Sequence, residues 1–195
     1  MAVIDCIAFF DTNGTYKYSF GQPDSLLSMY RISNYMSPAF YWNGQEVVVY
    51  HVNKLSYWSL NTTDARLLRT LRVQLPLSYR LPSHDLPRPG PTNEILASKQ
   101  FSRVRKLLYD KVQRYYLLAY ENTFSYPCCP DEVFVTTYLH IFDENGVAIL
   151  ESDVEIPGRF FPIEFSNGNI FGVQLDETNR LALTGYRVLA LAQGR

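Results

Sequence analysis

The sequence is short of cysteine, of glycine and of net charge, and each shortage closes off a class of protein. Three cysteines, Cys6, Cys128 and Cys129, make neither a disulfide framework nor a metal-ligand spacing in 195 residues. A net charge of −1 with the signs well mixed lacks the basic footprint of a nucleic-acid binder. The apolar run in "MAVIDCIAFFDTNG" stops at Asp11 and has no basic residues ahead of it, so it reads as neither a signal peptide nor a membrane span. No Gly-rich phosphate loop, Gly-x-Ser-x-Gly elbow or paired zinc-ligand helix motif is present, and no cofactor is implied.

What is present is aromatic. Fifteen Tyr and twelve Phe suit pleated, half-buried surfaces. Helical periodicity is nearly confined to "DSLLSMYRISNYM" (24–36), where Asp24 is placed to cap a turn or two carrying Leu27, Tyr30 and Ile32. Elsewhere apolar and alternating runs predict strands at 3–10, 15–20, 38–42, 45–51, 55–60, 67–74, 103–109, 114–121, 134–142, 147–156, 160–165, 169–175 and 181–190.

Four of the ten glycines follow Asn, at Gly14, Gly44, Gly146 and Gly168. Asn-Gly between strand-like runs is a strong hairpin signal, and a type I′ turn is the expected form. The strands then fall into antiparallel meanders of four, 38–74 and 103–156, with a three-stranded set at 160–191 and a two-stranded piece at 1–20. The expected fold is all-β: propeller-like four-stranded blades, two full and two partial, in one partial domain over 1–195, with a β-sandwich as the alternative. Tight turns gather at one end of such blades. The stretches 21–37, 75–102 and 121–133 form a loop face at the other.

The segments "FSRVRKLLYDKVQRYYLLAYE", "TTYLHIFDENGVAILESDVEIP" and "FFPIEFSNGNIFGVQLDETNRLALTGYRVL" carry Tyr109-Asp110 before Arg114-Tyr115-Tyr116, and a Phe-Asp-x-x-Gly hairpin at 142–146. They resemble the C-terminal blades of a bacterial family of TolB-like six-bladed β-propellers of unknown function. The resemblance is good over 100–191 and loose over 1–75. It implies an exported, lipid-anchored protein of the cell envelope. A four-stranded blade takes about 40–45 residues, so six need roughly twice this length. No leader or lipid-attachment cysteine of such a protein is recognisable in the sequence.

Candidate binding residues lie on the expected loop face. "RLPSHDLPRPGPTNE" (80–94) contributes Arg80, His84, Asp85 and Arg88, with Tyr79 just before it. Imidazole beside carboxylate is general-base or metal-ligand chemistry, although the prolines favour an extended connector. "ENTFSYPCCPDE" (121–132) contributes Tyr126, Asp131 and Glu132. "LDETNR" (175–180) contributes Asp176 and Arg180, oxygen and cation groups of a polar turn. Asp110 and Arg114 are expected to bond a tight hairpin, His51 and His140 to sit satisfied in strands, and Trp42 and Trp58 to pack. No catalytic residue is assigned.

These features predict a non-enzymatic binding module for a protein, peptide or glycan. The alternatives are a metal-dependent, lactonase-like propeller hydrolase with Glu164 and Asp176 among its donors, or a truncated scaffold without separate activity. Open strand edges predict self-association.

Overall fold

The computed structural model describes residues 7–21, 38–61, 63–81, 101–126, 129–175 and 180–188, of which 125, 126 and 129–133 are described by backbone alone. The helix expected at 24–36 lies outside them. The described residues form strands and turns only: β1 Ile7–Phe10, β2 Tyr16–Phe20, β3 Ala39–Trp42, β4 Glu46–His51, β5 Lys54–Leu60, β6 Ala65–Arg72, β7 Arg103–Asp110, β8 Tyr115–Tyr126, β9 Cys129–Asp143, β10 Val154–Pro157, β11 Arg159–Ser166, β12 Asn169–Leu175 and β13 Leu181–Arg187. They pair antiparallel in chain order, as β1–β2, β3–β4–β5–β6, β7–β8–β9–β10 and β11–β12–β13.

Alternation along each strand builds the layers between sheets. Val47 and Val49 of β4 meet Phe20 of the N-terminal sheet. Val48 and Tyr50, on the opposite face, meet Leu107, Tyr116, Leu118 and Tyr120 of the β7–β10 sheet. Leu117 and Ala119 of β8 turn the other way, onto Phe160, Phe165 and Ile170. The two four-stranded sheets are therefore covered on both faces, which a two-layer sandwich does not provide. The first strands of successive sheets, β3, β7 and β11, lie beside one another, and the last strands β2 and β6 meet. The architecture is all-β and propeller-like.

The tight turns depend on Asx side chains more than on Asn-Gly itself. Asp11 Oδ1 accepts from the backbone N–H of Asn13 and Thr15, both at 2.9 Å, and Asp143 Oδ1 accepts in the same way from Asn145 at 2.8 Å and Val147 at 2.9 Å. Asn43 and Asn61 bond their own turns similarly. All four glycines have positive φ, but only Asn167 among the preceding asparagines does. The type I′ expectation therefore fits Asn167-Gly168 alone. At Asn43-Gly44 the glycine takes the first central position, as in a type II′ turn. At the two Asp-x-Asn-Gly turns, where the aspartate bonds the turn, the asparagine keeps a negative φ.

Three boundaries differ from the sequence expectation. Residues 121–126 and 129–133 are not a loop, because β8 and β9 continue as a hairpin arm through Asn122↔Thr136, Phe124↔Phe134 and Tyr126↔Cys129. The strand expected at 147–156 is confined to Val154–Pro157. Residues 74–80 lie along the β7–β10 sheet instead of joining a free loop: Gln74 N–H donates to Gly146 O at 2.8 Å, and Asn122 Nδ2 to Ser78 O at 2.8 Å.

Candidate functional site

A buried polar network lies where the chain leaving β6 crosses the second sheet. Its centre is Asp153, brought inward by a bulge. Phe142 bridges to Ala148 while Leu139 pairs with Val154, so three steps on β9 face six on the other side, and three residues are extra. A bulge of this kind re-aims side chains. Here it turns Asp153 onto His140, with Oδ1 2.8 Å from Nδ1 and each side chain 3% exposed. His140 Nε2 is 2.9 Å from Gln74 O. That carbonyl can only accept, so Nε2 is the nitrogen that donates to it.

The other carboxyl oxygen accepts from Tyr120, and Ser78 Oγ stands 3.1 Å from the same Oδ2 and 2.6 Å from the Tyr120 hydroxyl. Burial pushes the Tyr120 hydroxyl well above its ordinary range, and the Asp153 hydrogen bond adds to this. Serine, histidine and aspartate are thus together, but not in hydrolytic order. Ser78 touches Asp153 and Tyr120, not His140, and the free end of the imidazole is held by a backbone carbonyl. Nucleophilic activation needs a base on the serine. The network positions its surroundings.

Above it opens a cleft of about 420 Å³ between Gln74–Leu77 and Ala148–Glu151. Both walls are tied from beneath, Gln74 through His140, and the second wall through Ile149 N–H to Ile141 O at 2.9 Å and through Asp153. Six of the eight lining residues are aliphatic, but polar atoms supply about half of the exposed lining, and Leu77 is fully exposed.

Of the residues expected to form a loop-face site, Tyr79, Arg80 and Arg180 are described with their side chains. Tyr79 is a core residue. Its hydroxyl donates to Val52 O at 2.9 Å, beside the Tyr50 hydroxyl at 2.7 Å on the same carbonyl. The two hydroxyls hold buried Val52 at φ 59°, a conformation that β-branched residues avoid. Arg80 braces the base of the hairpin arm: its N–H donates to Ser102 Oγ at 2.8 Å, its guanidinium to Thr123 O at 3.2 Å, and it lies 5.9 Å from the Phe124 ring centre. Ser102 N–H returns a bond to Arg80 O at 2.9 Å, which closes the base of the long connection. Tyr126, Asp131 and Glu132 belong to the arm's strands, so they are not loop residues. Arg180 is exposed just before β13. His84, Asp85, Arg88 and Asp176 lie outside the described residues.

Other expectations divide. Asp110 caps its turn as expected, accepting from Val112 and Gln113 N–H, and also bonds Gly168 N–H of the next sheet at 2.8 Å. Arg114 also bonds the hairpin, its N–H donating to Asp110 O at 2.8 Å, while its guanidinium pairs with Glu144, whose other oxygen accepts from Tyr109 at 2.7 Å. Trp58 packs on Phe20, whereas Trp42 is 59% exposed. Glu164 is exposed on β11 and does not turn inward. Among the described residues no three His, Cys, Asp or Glu side chains converge as metal ligands, and no helix is long and apolar enough to cross a membrane. Sequence reading missed Ser78, Asp153 and Glu121. The last is a buried carboxylate with one oxygen held by Arg105 at 2.6–2.8 Å and the other without a described partner.

No family model matches the sequence, and no curated protein matches it. Among solved structures the chain is similar to a member of the DUF4221 family from Bacteroides vulgatus, at 12% identity and a TM-score of 0.43, over 77% of this chain and 46% of that one. The chain thus spans less than half the length of that structure.

Proposed function

We propose that this chain is a non-enzymatic binding module that takes an extended peptide segment of another protein into the cleft between Gln74–Leu77 and Ala148–Glu151. One observation carries the reading: a solvent-open cleft with both aliphatic and polar lining is held from beneath by a network whose hydrogen-bonding groups are already engaged. A pre-formed wall lowers the ordering cost of binding. Leucine, isoleucine and proline suit an aliphatic anchor side chain, and the polar groups beside them suit a peptide backbone. Edge strand β6, which leads into the first wall, carries Arg66, Arg69 and Arg72, and none of these pairs with a described carboxylate. Acidic residues flanking the anchor fit that edge, and strand addition is a familiar mode of peptide capture. No observation favours the hydrolase reading.

Selection of a displayed random-peptide library on the immobilised chain tests this. Enriched peptides should combine a bulky aliphatic residue with acidic neighbours. Their affinity should fall about tenfold or more, roughly 1.4 kcal/mol, in Leu77→Glu. Failure to enrich any peptide, or equal binding to Leu77→Glu, would remove the proposal.

A further inference from the structure

The four Asn-Gly pairs hold the two partners of one reaction. An asparagine amide followed by glycine is open to attack by the glycine's own backbone nitrogen, because no Cβ shields that atom. What separates the four pairs is the work that nitrogen does in the fold. Gly14 N–H donates to Asp11 O at 2.9 Å, and Gly146 N–H to Asp143 O at 3.0 Å. Gly168 N–H donates to Asp110 Oδ2 at 2.8 Å. Gly146 and Gly168 are also buried. Gly44 N–H has no described hydrogen bond, and both Asn43 and Gly44 are exposed. Nothing lies within 4 Å of the place that a Cβ on Gly44 would take.

Asn43 also has the most activated side chain of the four. Its Oδ1 accepts from Gln45 N–H at 3.0 Å and from Glu46 N–H at 2.7 Å. Two donors on an amide oxygen draw charge from Cγ and stabilise the oxyanion that forms when a nucleophile adds there. The same bonds fold the side chain back over the turn that contains Gly44 N, which brings nucleophile and carbonyl carbon together. Among the other three, only Gln113 Nε2, at 3.3 Å from Asn167 Oδ1, is a described donor to the amide oxygen. Asn61 accepts from two backbone N–H groups as Asn43 does. Thr62 follows it in the sequence, however, and a β-branched side chain crowds the attacking nitrogen.

We infer that Asn43 is a site of intramolecular deamidation, and that the folded chain directs the reaction to this pair. The Gly44 nitrogen gives its proton to solvent base and forms a bond to Asn43 Cγ. The Cγ–Nδ2 bond breaks, and ammonia leaves with a proton taken from water. The five-membered succinimide that remains then takes up one water. Opening at Cγ leaves aspartate, whereas opening at the backbone carbonyl carbon leaves isoaspartate, whose main chain runs through Cβ. No oxidant, reductant or second enzyme enters. Each event adds one negative charge to a chain of net charge −1, at the end of β3 next to exposed Trp42. The lost ammonia makes the change irreversible, so it marks the age of the molecule at one defined turn.

Peptide mapping of the whole chain after timed incubation in neutral buffer tests this, by reading the mass gain of amide turned to acid at each asparagine. Asn43 should convert first, at least about fivefold faster than Asn13, Asn145 or Asn167, the weight of one ordinary hydrogen bond. In concentrated urea the four rates should converge, since glycine follows each asparagine. Amide hydrogen exchange on the folded chain gives an independent reading. Gly44 N–H should exchange without protection, while those of Gly14, Gly146 and Gly168 are slowed. Faster conversion at any of the other three, equal rates in the folded chain, or a protected Gly44 N–H would each overturn the inference.

Discussion

At Asp153 one side chain accepts hydrogen bonds from an imidazole and from the Tyr120–Ser78 hydroxyl pair while almost fully buried. Replacing it by Asn exchanges one acceptor for a donor, so either His140 or the hydroxyl pair loses its partner. Leaving a buried polar group unsatisfied costs about 1–3 kcal/mol. Denaturant unfolding of Asp153→Asn should show a loss in that range, and no measurable loss would refute a network held through Asp153. Half of this site was legible in the sequence. His140 reads as a satisfied strand histidine, as it is, but its partner could not be read. A regular strand over 147–156 gives no reason for Asp153 to face inward, and only the three-residue bulge does. The residue types at His84 and Asp85 were more conspicuous in the sequence, yet Ser78 and Asp153 come together only because two distant segments cross one sheet.

Turns and strands were far more legible than side-chain sites, because period-two alternation and turn chemistry are local. All thirteen expected strands are represented, and their grouping by sheet follows chain order. Errors arose where a local signal misled. Pro127, Pro130 and the paired cysteines suggested a loop, but cross-strand pairing carries the arm beyond Phe124. Asn-Gly suggested one turn type, but the preceding aspartate decides the geometry at two of four sites. The same turns separate backbone strain from packing. Gly44 and Gly146 both have positive φ, and a Cβ at Gly44 would meet nothing, whereas one at Gly146 would lie 2.5 Å from Arg72 O and 2.9 Å from Leu71 Cδ1. Gly44→Ala should therefore cost about 1–2 kcal/mol from the left-handed conformation alone. Gly146→Ala should cost about 2–5 kcal/mol, because overpacking against β6 adds about 1–3 kcal/mol. Equal losses in urea unfolding would mean that this junction between sheets yields freely.

Across the whole molecule, tyrosines occupy the layer between the two four-stranded sheets. Tyr50, Tyr57, Tyr79, Tyr116 and Tyr120 are buried there, and Tyr109 borders them. Burial raises the hydroxyls of Tyr50, Tyr79, Tyr116 and Tyr120 well above their ordinary range, and pushes Tyr109 up to about 12 with help from its bond to Glu144. A raised value in the folded state means that the neutral hydroxyl is the form the fold prefers. The associated stability is complete below the ordinary tyrosine value of about 10 and declines above it, the share of Tyr109 being lost as pH passes about 12 and that of the four buried hydroxyls only at higher pH. Because these rings join two sheets, ionising them separates the sheets instead of fraying one edge. Far-ultraviolet circular dichroism should thus collapse in a single alkaline transition, and the tyrosinate absorbance of the buried rings should appear with it and not before. If that absorbance developed fully while the strand signal persisted, the tyrosines would be reachable in the folded chain, and the layer between β3–β6 and β7–β10 would not be the core that holds the stack together.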